Sequence, residues 1–136
     1  MSSPRYLVDT NVLLRFLCGE PAAQATAARK LFARAADGEI ILDVSPVIVA
    51  EAFYTLHSFY GVDRKSTTAK LSLLLQQHGV KLRDERQVLL ALERLQNANV
   101  GFADAFLAAG ATEEKVAVVS FDRDFDKLQV ERYEPT

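Results

Sequence analysis

Four carboxylates stand where the chain around them is apolar, and their placing is what suggests chemistry. Asp9 follows the apolar run Tyr6-Leu7-Val8, and Asp122 follows Val116 to Val119 across Ser120-Phe121. Each acid is therefore expected at the C-terminal end of a strand, the edge of an open parallel sheet where ligands bind. If the two strands are neighbours, the two carboxylates converge. Glu51 lies in a predicted helix with Val47, Ile48, Tyr54 and Thr55 three and four residues away, so its side chain is expected to leave from a largely buried stripe. Asp104 is embedded in Phe102-Ala103-Asp104-Ala105-Phe106-Leu107-Ala108-Ala109, with no Lys or Arg three or four residues away to pair with it. A buried carboxylate without a partner is costly, and a shared cation accounts for four such acids better than four separate accidents. Oxygen ligands alone select a hard ion, Mg²⁺ or Mn²⁺.

Each acid also has a bland role. Asp is a favoured N-cap, and for Asp9 alone a cap of the following helix competes evenly with a site role. Glu51 could equally be an exposed acid early in its helix. The two histidines, His57 and His78, are expected in packing or surface roles, and Cys18 in the core.

The elements that must position these acids follow from periodicity and punctuation. Tyr6-Leu7-Val8 reads as a buried strand leading directly into a helix carrying Val12, Leu13, Phe16 and Leu17. Ala22 to Ala36 predicts a second helix with Ala28, Leu31, Phe32 and Ala35 on one face. Ile40-Ile41-Leu42 predicts a second strand, and Ser45-Pro46 starts a helix that runs to about Tyr60 before Gly61. Asp63 caps a further helix to about Gln77, in which Ala69, Leu71, Leu74 and Leu75 are expected to face the core. Val80 to Leu82 is a weak third strand, and Asp84 to Gln96 a helix with Val88, Leu89, Leu92 and Leu95 inward. Phe102 to Ala111 reads as an interior helix, Val116 to Val119 as the clearest strand, Asp124 to Leu128 as a helical turn, and Gln129 to Tyr133 as an edge strand. Strands alternating with helices argue for an α/β/α sandwich around a parallel sheet, and no linker or internal repeat interrupts a single domain over residues 1–136.

Composition sets limits on the class. The chain has 136 residues, 49% hydrophobic and 25% charged, which excludes disorder and low complexity and suits one domain. The net charge of −2 is unevenly spread. Residues 64–94 carry seven basic and three acidic side chains, whereas residues 101–136 carry four and eight. A basic middle segment is therefore available to follow a nucleic-acid backbone. The single cysteine excludes an intrachain disulfide and a cysteine-based zinc cluster. With no apolar segment behind Met-Ser-Ser-Pro-Arg and no run long enough to span a bilayer, a cytoplasmic protein without a membrane partner is expected.

Taken together, Val8-Asp9-Thr10-Asn11-Val12-Leu13, Glu51-Ala52, Ala103-Asp104-Ala105 and Ser120-Phe121-Asp122-Arg123-Asp124-Phe125 resemble the motifs of the PIN domain, and more narrowly of the VapC-type toxin ribonucleases of toxin–antitoxin pairs. The resemblance spans the chain. It implies a central parallel five-stranded sheet in the order 3-2-1-4-5, flanked by helices, which sets the strands ending in Asp9 and Asp122 side by side. It also implies that Asp9, Glu51, Asp104 and Asp122 hold one or two Mg²⁺ or Mn²⁺ ions and cleave RNA, leaving a 5′-phosphate and a 3′-hydroxyl. Asn11 and Ser120 match supporting residues, Ser120 standing where the family often has threonine. Asp124 and Asp126 lie close by, and Asp122 is preferred as ligand because it directly follows the strand, with Asp124 a candidate helix cap. A cognate antitoxin and a homodimer are the partners implied, and the aromatic cluster Phe53, Tyr54, Phe59 and Tyr60 offers apolar surface for either contact or for the core.

The expected function is thus a metal-dependent endoribonuclease, with Arg15 and Arg123 as candidate phosphate contacts. The competing reading is a degenerate PIN-like module that binds metal, protein or RNA without catalysis. Other classes fit less well. A haloacid-type phosphatase needs an acid two residues after Asp9, where Asn11 stands, and no Gly-x-Ser-x-Gly elbow supports serine chemistry. A phosphoacceptor receiver needs paired acids after the first strand and a lysine after the last, and neither is clear.

Overall fold

Arg5–Leu7 forms β1, and the chain turns at Asp9 into α1, Thr10–Cys18, which Gly19 ends in a left-handed conformation. The computed structural model describes residues 2–136. They divide into two compact units, the first reaching to Arg83 and the second covering Asp84–Thr136.

In the first unit α2, Ala22–Ala36, packs on α1 and buries Ala25, Ala28, Phe32 and Ala35. Ala28, Phe32 and Ala35 are as the spacing predicts, with Ala25 buried in place of the half-buried Leu31, and Phe16 meets Phe32 at 4.6 Å between ring centroids. β2, Ile41–Val44, lies between β1 and β3, Val80–Leu82, and both pairings are parallel. Pro46 opens α3, Pro46–Tyr54, at the position where its missing N–H is harmless, and the helix continues as a π-helical turn over Thr55–Phe59. α4, Arg64–Leu75, is capped by Asp63, whose carboxylate accepts from the Ser66 N–H at 2.8 Å and from the Ser66 hydroxyl at 2.8 Å. Its buried face is Thr67, Thr68, Leu71, Leu74 and Leu75, whereas Ala69 is exposed. The two threonines are tolerated inside because their hydroxyls donate back to the carbonyls of Asp63 and Lys65. Gly79 is required on two counts: its φ is +86°, and a Cβ there would collide with the Ala35 backbone.

The second unit pairs α5, Glu85–Leu95, with α6, Phe102–Glu114. Val88, Ala91, Leu92 and Leu95 are buried on α5, and Ala105, Ala108 and Ala109 on α6. Gln87 donates to the Phe106 carbonyl at 2.8 Å beside Gly110, whose lack of a Cβ leaves room for the Gln87 side chain. β4, Val118–Val119, pairs in parallel with β5, Arg132–Tyr133, and a 3₁₀ turn at Arg123–Lys127 lies between them in sequence.

The architecture is α/β with parallel strands throughout, as expected, but the strands are divided. Three form one sheet in the order β1-β2-β3 and two form another, rather than a single five-stranded sheet. Strands of two or three residues offer few ladder groups: β4 donates to its neighbour's end from Val118 and Ser120, to Glu131 and Tyr133. β1 is also not the buried strand its sequence suggests, since Tyr6 and Leu7 are exposed and only Val8 is buried. Among the described residues no helix is long and apolar enough to cross a membrane.

Candidate functional site

The first unit carries Asp9 and Glu51. Asp9 occupies the N-cap position of α1 with extended backbone angles, and Val12 N–H bonds to its carbonyl oxygen, yet its carboxylate makes no capping hydrogen bond. The competing cap role is therefore not taken by the side chain. The neighbouring Thr10 hydroxyl is buried and has no hydrogen-bond partner among the described residues. Glu51 lies on α3 and is exposed, and Val47 and Tyr54 beside it are exposed too, so its stripe faces outward rather than into the core. The core face of α3 is Val49, Ala52 and Phe53 instead.

The second unit carries Asp104, Asp122 and Asp124. Asp104 is in the first turn of α6, where the helix dipole favours an acid. It is half-buried, and its pKa is raised by burial first and then by the negative charges of Asp122 and Asp124. Asp122 is exposed and caps the 3₁₀ turn, its Oδ1 accepting from the Asp124 N–H at 2.8 Å. The cap expected of Asp124 is thus made by Asp122. Ser120 holds this loop, its Oγ accepting from the Asp122 N–H at 2.9 Å. Asp124 lies 3.4 Å from Lys127, and Asp126 is engaged by Arg132 at 3.0 Å, which sets Asp126 apart from the other two.

Asn11 and Arg15 line a mostly apolar cavity of about 330 Å³ between α1 and α2, and Arg15 donates from Nε to Gln24 at 2.9 Å. Arg123 begins the 3₁₀ turn beside Asp122 and is exposed. His57 accepts a packing role, its Nδ1 2.9 Å from the Val62 carbonyl and its ring stacked on Phe53, and burial raises the pKa of the Cys18 thiol. Of the aromatic cluster, Phe53 is buried while Tyr54, Phe59 and Tyr60 are exposed.

The most buried acid is one the sequence reading passed over. Asp43, within β2, has a fully buried side chain that accepts from Arg83 at 3.0 Å and lies 3.5 Å from Arg5. Its setting in Ile40-Ile41-Leu42-Asp43-Val44 is as apolar as that of Asp104, and this was the available signal. Two arginines satisfy it, so its role is structural.

The donor set matches a hard divalent cation in chemistry: carboxylate oxygens, with Asp104, Asp122 and Asp124 near enough to repel one another. A coordination shell is a stricter condition. Among the described residues no three His, Cys, Asp or Glu side chains stand close enough together to hold a metal ion.

A family model described as PIN domain matches residues 6–131. The chain belongs to the PIN domain family. No curated protein matches it. Among solved structures, the PIN chain is similar to a crystal structure of VapBC2 from Rickettsia felis bound to a DNA fragment from their promoter. That similarity is at 15% identity and a TM-score of 0.39, over 96% of this chain and 98% of that one. PIN domains are generally nucleases, and those nucleases generally use divalent metal ions.

Proposed function

We propose that this PIN protein is a metal-dependent endoribonuclease, the toxin of a toxin–antitoxin pair. The observation that carries the reading is the family match across residues 6–131, with acids at all four motif positions, Asp9, Glu51, Asp104 and Asp122. Those four would hold Mg²⁺ or Mn²⁺, with Asp124 nearby. The bound ion supplies an activated water at neutral pH and a counter-charge for the phosphoryl oxygens.

The chain's own residues do the positioning. Ser120 and the Asp122 cap fix the loop after β4, so that Asp122 and Asp124 are presented from a rigid turn. Asp9 leaves its carboxylate uncommitted at the end of β1. Arg123, exposed next to Asp122, is the first proposed phosphate contact, and Arg15 the second. The proposed protein partners are a cognate antitoxin and a second copy of the chain, with exposed Tyr54, Phe59 and Tyr60 as apolar surface. The test is cleavage of single-stranded RNA in Mg²⁺ or Mn²⁺, abolished by EDTA and by Asp9→Asn. Inertness of the wild type with and without metal would favour the non-catalytic PIN module.

A further inference from the structure

Arg94, near the end of α5, has buried donors that no acceptor meets among the described residues. Its Nε and Nη1 are buried and have no hydrogen-bond partner among the described residues. Burial depresses its pKa, and only the adjacent Glu93 offsets this. Two buried guanidinium nitrogens with donors unmet are disfavoured unless something supplies acceptors. Arg94 lines a cavity of about 140 Å³ together with Glu93, Asn97, Lys127 and Gln129. Leu90 and Ala98 complete the wall, and the polar lining is a guanidinium, an ammonium and two amides that can donate, against the single carboxylate of Glu93.

We infer that this cavity binds a phosphate group, with Arg94 as its anchor and Lys127, Asn97 and Gln129 as further donors. The size suits one tetrahedral oxyanion, and a guanidinium brings a fixed positive charge to it. Its position supplies the source. Lys127 lies 3.4 Å from Asp124, and Asp124 is in electrostatic reach of Asp104, so the cavity adjoins the carboxylates proposed to act on RNA. The occupant is then a backbone phosphate of single-stranded RNA away from the scissile one. This assignment of the source rests on the nuclease reading; the phosphate site itself does not.

The test has two arms, both read on the full chain in EDTA without turnover. In the first, inorganic phosphate raises the melting temperature of the wild type and leaves that of Arg94→Met unchanged, while glutarate at matched ionic strength raises neither. Without phosphate, Arg94→Met melts at or above the wild type, because the unmet donors are gone. In the second, Arg94→Gln weakens binding of a short oligouridylate about tenfold and lowers the slope of log affinity against log salt by about 0.7, the loss of one single-strand phosphate contact. Equal protection of wild type and variant by phosphate would overturn the site. So would a much lower melting temperature of Arg94→Met without phosphate, which would mean a structural partner for Arg94. Protection by glutarate as strong as by phosphate would replace the RNA phosphate by a carboxylate of a protein partner, and an unchanged salt slope would remove RNA as the source. Failure of both arms would leave metal-dependent cleavage untouched, and absence of cleavage would leave the phosphate arm readable.

Discussion

Asp104 shows how a site acid works against the fold that carries it. Burial and the charges of Asp122 and Asp124 raise its pKa, so ionising it costs the folded state more than the unfolded chain. The protonated form therefore lends a relative stability that is complete below the unfolded value of about 3.9 and lost as pH rises through the raised folded value. Asp104→Asn lacks that loss. In EDTA its melting temperature should fall less than the wild type's as pH is raised from acid to neutral, and parallel curves for the two proteins would contradict the repulsion. Mg²⁺ should then stabilise the wild type and not the variant. At the residue scale, the place of Asp9 just after a strand and the partly buried setting of Asp104 were legible from the apolar runs around them. Exposure that depended on helix rotation was not: Glu51 was expected on a buried stripe, but Val47 and Tyr54 beside it face solvent. Asp43 was missed because its partner Arg83 lies forty residues away, beyond any local pattern.

At the scale of elements, that same pair joins two strands. Asp43 sits on β2, and Arg83 directly follows β3, where its N–H also donates to the Val44 carbonyl at 3.0 Å. Breaking a buried ion pair leaves a desolvated charge, though half-exposed Arg83 and the remaining Arg5 contact soften the loss. Arg83→Ala should destabilise the protein by about 1–3 kcal/mol in urea unfolding, and Arg83→Lys by less. A neutral Arg83→Ala would mean that Arg5 alone satisfies Asp43. Helices were legible because apolar spacing and caps agree: Ser45-Pro46 opens α3 and Asp63 caps α4 as their sequences predict. The π-helical turn at Thr55–Phe59 left no mark, since its composition continues that of α3. Asp124 was one candidate for the helix cap after β4, and hydrogen bonding selects Asp122.

At the scale of the whole molecule, the alternation of strand and helix announced an α/β fold with parallel strands, and the family match over residues 6–131 agrees. The five strands were legible; the single five-stranded sheet expected of them was not found, because pairing between distant short strands is a long-range property and β4 and β5 are two residues each. The exposed aromatics Tyr54, Phe59 and Tyr60 support the proposed homodimer. Light scattering behind size exclusion should return twice the chain mass, and a monomer at all concentrations would remove that partner.

Cleavage of a single-stranded RNA by the purified chain, followed with Mn²⁺ or Mg²⁺ and with EDTA, bears most directly on the proposed chemistry. Metal-dependent scission, lost in Asp9→Asn, Glu51→Gln and Asp104→Asn alike while all three remain folded, is the expected result. Scission that persists in EDTA, or in any of these variants at the wild-type rate, would contradict the assignment of those carboxylates to a shared divalent ion.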